Sequence, residues 1–358
     1  NPSFRPRFRF FHWTFALAGA LGCLFAAVLI DVVAAAVSGL IIFVLWFYVR
    51  RRDLSMSFGD ARRGYIFTRV RNGILRLQDM KTDAKNWRPT ALVLTGNPNT
   101  RLLLANLALW LEAGRGMVTI AQILIGDIRQ SAAKRQEALE GLTEFVNEKG
   151  IPAFVEAVMV PDFDDGLRIL LQAQSLGPLK PNMVIFGWSS NADRAVPFAD
   201  HLHCVSEMGM SMVVVADRGF TQEEHQRIDV WWRGRRNGSL MVLLTHLLKS
   251  NSAWADVTVR VLRSVPDEEQ RAEAERELNT LVEAARIHAE VAVKVSKEPF
   301  GELLKRESVG ASLVLLGFQP QGESDDEKRD FHARYSQMLE GLPTTLLVHS
   351  SGEADLLA

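Results

Sequence analysis

The chain has 358 residues, 47% of them hydrophobic and 23% charged, with a formal net charge of −1 at pH 7. That length allows more than one structural unit and a sizeable core, and nothing in the near-neutral total suggests a polyanion partner. The only cysteines, Cys23 and Cys204, are too few and too far apart for a disulfide framework, which points to a reducing, cytosolic setting for the bulk of the chain.

Residues 10–49 carry a single formal charge, Asp31, which divides the run into two apolar stretches of about 20 residues, each roughly 30 Å long as helix. Two transmembrane helices turning at Asp31 are expected over residues 1–52. Arg5, Arg7 and Arg9 before the run and Arg50, Arg51 and Arg52 after it place both ends in the cytoplasm by the positive-inside rule. The predicted location is a multi-pass protein of the cell membrane whose residues after about Arg52 are cytoplasmic. Gly19, Gly22 and Gly39 would allow other helices to pack closely. The start at Asn1, without an initiator methionine, reads as the C-terminal part of something longer.

Local charge is uneven: residues 50–88 sum to about +7, and everything after Pro89 to about −10. The basic stretch, 53–88, predicts an amphipathic linker helix near the membrane surface from about Phe58 to Met80.

Beyond it, short apolar runs alternate with helical periodicity. "ALVLTG", "MVTIAQILIG", "AFVEAVMV", "NMVIFG" and "SMVVVAD" predict five strands over residues 89–219; "VTVRVL", "AEVAVKV", "SLVLLG" and "TTLLVH" predict four more over 240–358. Nearly continuous apolar strands separated by helices mean parallel sheet covered on both faces, so the predicted fold is α/β with two doubly wound halves. The two sets end alike, as if one α/β unit were used twice. Residues 220–239 are expected to join them, and they contain "IDVWWRGRRNG", in which adjacent Trp231 and Trp232 would face opposite ways and pack against both halves.

Candidate sites are few. "LTGNPNTR" and "FGWSSN" put glycine and small polar residues between a strand end and a helix start, where free N–H groups accept an anion, so Gly96, Asn97, Gly187 and Ser189 are candidate ligands for ATP or another adenine nucleotide. Neither loop is a P-loop or a GxGxxG. "PDFDDG" starts like a calcium loop, but Ala173 stands where a closing glutamate belongs, and helix capping is the expected role. His201 and His203 fall on different helix faces and make a poor metal pair, so no metal site is predicted. No GxSxG, CxxC or HExxH is present, and no enzyme activity is expected. The acidic surroundings of the "RGRR" cluster argue against nucleic acid.

Taken together, "NPSFRPRFRFFHWTFALAGALGCL", "GDARRGY" with "KNWRPTALVLTG", "AGRGMVTI", "KPNMVIFGW" and "IDVWWRGRRNGSLMVLLTHLL" resemble, in this order, blocks of the cation-chloride cotransporter family. The resemblance covers most of the chain and weakens after about Gly322. "RPRFRFFHW" and "AGRGM" resemble the potassium-chloride branch more than the sodium-potassium-chloride one. It implies secondary active symport by a twelve-helix transporter of inverted repeats, with ion sites in helices that precede this chain. The family likeness further implies a cytosolic domain similar to universal stress proteins that forms a homodimer and regulates transport, with nucleotide bound in some members. Its partners would be a second copy, the bilayer and the remaining transmembrane helices. The lack of serine- and threonine-rich inserts makes the chain similar to prokaryotic members. An alternative is a membrane-anchored, stress-protein-like nucleotide sensor.

Overall fold

The computed structural model describes residues 13–51, 61–81, 86–96, 98, 100–220 and 226–354. They form two compact units, one ending at Asp79 and one beginning at Met80.

In the first unit, α1 (Trp13–Ile30) and α2 (Val32–Arg51) meet at Asp31. The Asp31 carboxylate accepts hydrogen bonds from the Val33 and Ala34 amides at 2.8 and 3.2 Å, capping α2 as a turn carboxylate does. The expected hairpin packing is absent: apart from half-buried Ala35, every described side chain from 14 to 48 is exposed, Phe25 at 67% and Ile42 at 67%. A single residue between the helices leaves no loop to fold one arm against the other. The expected membrane spans are likewise corrected, since among the described residues no helix is long and apolar enough to cross a membrane. Helix α3 (Ala61–Gln78) ends two residues before the predicted Met80, and the predicted start at Phe58 lies outside the described residues. At 100° per residue, Ile66, Phe67, Val70, Ile74 and Leu77 fall on one side, broken by Arg63, and Arg69 and Arg76 lie beside them, so the helix is amphipathic only in part.

In the second unit ten strands make one sheet, ordered β3-β2-β1-β4-β5-β10-β9-β6-β7-β8. The first half is β1 (Thr90–Leu94), α4 (Leu102–Glu112), β2 (Met117–Ile125), α5 (Ile128–Glu148), β3 (Phe154–Val160), α6 (Phe163–Ala173), β4 (Met183–Gly187), α7 (Ala195–Glu207) and β5 (Ser211–Ala216). The second is β6 (Arg227–Trp231), α8 (Arg235–Lys249), β7 (Thr258–Val265), α9 (Arg271–Ala285), β8 (Glu290–Val295), α10 (Phe300–Glu307), β9 (Leu313–Gly317), α11 (Asp325–Leu339) and β10 (Thr345–His349). Each half is parallel and has the same 3-2-1-4-5 order. They meet at a central antiparallel pair, Val214 opposite Leu347. One α/β unit is thus used twice, but within one continuous sheet.

Both faces are covered. Helices α4, α5, α8 and α9 bury one face and α6, α7, α10 and α11 the other, each core running through both halves. This explains the unbroken apolar strands, all six residues of β5 and all five of β10 being buried. Asp162 caps α6 by accepting from the Asp165 amide at 3.0 Å, which holds its carboxyl below the usual range, so "PDFDDG" is a cap. Ser324 and Glu327 make a capping box for α11.

At the seam, His349 is 3% exposed and its Nε2 lies 3.1 Å from the Ser206 hydroxyl. Burial, aided slightly by the charge of Arg236, depresses its pKa below the ordinary 6.5. The unfolded chain therefore binds more protons between the two values, so stability is complete above pH ~6.5 and declines as pH falls through the folded pKa. His349→Gln should flatten that decline in melting temperature between pH 7 and 5; an unchanged slope would place its origin elsewhere.

The segment expected to join the halves is built differently. Residues 228–231 are the middle and end of β6, the innermost crossover strand of the second half, and residues 221–225 lie outside the described ones. Trp231 and Trp232 do face opposite sides, but of the sheet: Trp231 belongs to the α10–α11 core and Trp232 packs on the α8–α9 core. The strand went unpredicted because "RIDVWW" carries a charge in mid-run, and that charge is neutralised internally. Asp229, 0% exposed, accepts from Arg260 Nε and Nη2 at 2.9 and 2.8 Å and from Arg227 Nε at 3.1 Å.

Candidate functional site

A doubly wound sheet opens a crevice where neighbouring strands send their chains to opposite faces, here between the carboxyl ends of β1 and β4. A cavity of about 480 Å³ lies there. Gly96, Gly187 and Ser189 all line it, so three of the four predicted residues converge; Asn97 lies outside the described residues.

Each has a structural reason to be where it is. Gly96 follows β1 with φ +64°, a conformation that favours glycine, and turns the chain toward α4. At Gly187 a Cβ would stand 3.2 Å from Arg101 Nη1, so the missing side chain lets the guanidinium lie over the end of β4. Ser189 is tethered across the halves: its carbonyl accepts from His332 Nε2 at 2.6 Å, and the His332 ring stacks on Trp188 at 5.2 Å.

Further residues that the sequence pattern does not assign to this crevice complete its lining. Arg101 and Arg194 supply positive charge to the lining. Thr95, 0% exposed, lines the cavity with a hydroxyl that has no hydrogen-bond partner. A buried, unsatisfied polar atom costs roughly 1–3 kcal/mol, so its presence in a cleft marks a place where a ligand atom would be rewarded. On the far wall His201 Nε2 lies 2.6 Å from Asp164 Oδ1, with Phe163 against the imidazole at 4.8 Å. His201 is therefore committed to a carboxylate on α6 and not to His203, and among the described residues no group of three ligating side chains could hold a metal. The signal for Arg101 was present in "LTGNPNTR", one residue before the helix.

The equivalent crevice of the second half is filled. Asn237 stands over Gly317, where a Cβ would come within 3.0 Å of its own; its Nδ2 donates to the Phe318 carbonyl at 2.7 Å and its Oδ1 accepts from Ser350 N at 2.9 Å. Arg236 donates to the Ser350 and Ser351 carbonyls at 3.0 and 3.2 Å. Trp232 occupies the space over Gly238, where a Cβ would meet it at 2.2 Å. Arg236, itself exposed, and half-buried Asn237 thus tie the start of α8 to the chain after β10.

Fold and cleft together define a tandem doubly wound α/β domain that keeps one ligand-sized crevice open and plugs the other. The model of solute carrier family 12 matches residues 101–197 and 202–306, more than half of the chain, and the chain belongs to that family. Its structure is similar to the cytoplasmic domain of a prokaryotic cation chloride cotransporter, with 19% identity and a TM-score of 0.56 over 76% of this chain and 99% of that one. It is also similar to a universal stress protein from Archaeoglobus fulgidus, with 11% identity and a TM-score of 0.48 over 73% and 96%.

Proposed function

We propose that the chain is the C-terminal part of a secondary active cation-chloride symporter, with residues 80–358 forming a cytosolic, non-enzymatic module that dimerises and regulates transport. The observation carrying this reading is the family match, which runs through both halves of the sheet. The blocks "RPRFRFFHW" and "AGRGM" favour coupling to potassium. Light scattering on residues 80–358 should give twice the chain mass, and a monomer at high concentration would contradict dimerisation.

The first unit is the membrane-associated part in this reading. Helix α1 has no charged residue in 18, and exposed side chains such as Phe15, Leu24, Ile30, Ile41 and Phe43 surround both α1 and α2. Apolar surface of this extent requires lipid or other apolar helices to cover it. Maleimide labelling of Cys23 checks this: a membrane-impermeant reagent should leave it unmodified in intact membranes, and prompt labelling would place α1 in water.

For the cleft we propose an adenine nucleotide, its phosphates met by Arg101, Arg194 and the Gly96 turn. Calorimetry with ATP should show binding that Arg101→Ala weakens about tenfold, the loss expected when one charge-assisted contact goes. No heat at millimolar ATP would remove the nucleotide. The unpartnered Thr95 hydroxyl also favours a second reading, a membrane-anchored nucleotide sensor without transport, which chloride flux separates from the first.

A further inference from the structure

The two halves share one topology, so α10 and α11 in the second stand where α6 and α7 stand in the first. Phe163 and Phe300 are the first residues of α6 and α10, and each borders the cavity of its own half. The second cavity, about 510 Å³, lies between the start of α10 and the middle of α11. Its chemistry differs from the first. Where the first wall pairs Asp164 with His201, the second presents Gly301 on α10 and Arg334 on α11, and Arg233 and Lys305 add two more cations. Glu302 is the one carboxylate among the lining residues.

These cations are positioned but not neutralised. Arg233 Cζ lies 4.6 Å from the Phe300 ring centroid, and Arg334 Nη2 donates to Gln321 Oε1 at 2.6 Å. Such cation–π and amide contacts fix a guanidinium without cancelling its charge. Among the described residues none of Arg233, Lys305 and Arg334 forms an ion pair, although pairs such as Arg306–Glu298 and Lys294–Glu307 nearby show how readily this acidic domain supplies carboxylates. Both Arg334 and Arg233 act on the Tyr335 phenol, so the two charges converge at the same ring. Burial is the larger influence there and keeps the phenol a neutral O–H, able to donate to an anion.

We propose that the cavity between α10 and α11 is a second ligand site, distinct from the β1–β4 crevice, that takes a small multiply charged anion through Arg233, Lys305 and Arg334, its body lying against Phe300 and Tyr335. The arginine at the front of "RGRRN" then belongs to this site, while Arg236 and Asn237 behind it close the crevice below.

The probes are inorganic pyrophosphate and citrate, measured by equilibrium dialysis against the full chain. Saturable binding of at least one is expected, weakening as salt rises because the cations are partly exposed. It should fall at least about tenfold in R233Q/R334Q and persist in R101A, which alters only the first crevice. Circular dichroism verifies that R233Q/R334Q remains folded, and Lys305→Gln provides an independent variant with the same expected direction. The proposal is overturned if neither probe binds saturably, if R233Q/R334Q binds as the unaltered chain does, or if R101A alone abolishes binding.

Discussion

Asp229→Ala is expected to destabilise the domain by about 3–5 kcal/mol, the usual cost of removing one partner of a buried ion pair. The carboxylate is fully buried on β6 and receives three hydrogen bonds, two from Arg260 and one from Arg227. Arg260, whose pKa is raised chiefly by its bond to Asp229, also donates to the Glu307 carbonyl at 2.8 Å, fastening β7 to the end of α10. Without Asp229 that guanidinium stays in place, 17% exposed and uncompensated. Much of the penalty is therefore the stranded cation, and Asp229→Leu with Arg260→Met should recover a large part of it. Urea unfolding checks both: a loss below about 1 kcal/mol for Asp229→Ala would equate the pair with an ordinary surface bridge.

Trp231→Ala should cost a similar ~3–5 kcal/mol for a different reason, the cavity left by a large aromatic side chain that the surroundings cannot refill. The indole is 0% exposed, meets Phe300 edge-on at 5.3 Å and donates from Nε1 to Ser308 Oγ at 2.9 Å. Ser308 is itself fully buried, so the truncation also removes the partner of a sequestered hydroxyl. Trp231→Phe should cost less, because it keeps most of the ring and loses only the hydrogen bond and some volume. Trp232→Ala should cost less too, since that residue is half-buried. Equal melting temperatures for Trp231→Ala and the unaltered chain would mean that the β6–α10 contact contributes nothing.

These two residues also show where the sequence was readable. Strands with uninterrupted apolar runs, such as "LVLTG" and "MVIFG", were legible because burial on both faces leaves no room for polar alternation. Strand β6 was not, since Asp229 satisfies its charge with Arg260, thirty-one residues on, and no local pattern reports such a partner. The glycines of the crevice were legible from their position at strand ends; Thr95 was not, because an unsatisfied hydroxyl becomes conspicuous only once the neighbours that bury it are known. The same holds for the second cavity: Arg233, Lys305 and Arg334 are scattered over about a hundred residues and become neighbours only through the 3-2-1-4-5 winding. In the first unit, hydropathy foresaw helices broken at Asp31 but not their relation, because apolar composition does not specify which surfaces pack.

The central claim, a cation-chloride symporter carrying this domain, is tested most directly by radiolabelled chloride flux into proteoliposomes holding the gene product that contains this chain. Chloride uptake should require external potassium or sodium, saturate with that cation, and change when Asp229→Ala loosens the cytosolic domain. Chloride uptake that is absent, or indifferent to both cations, would contradict it.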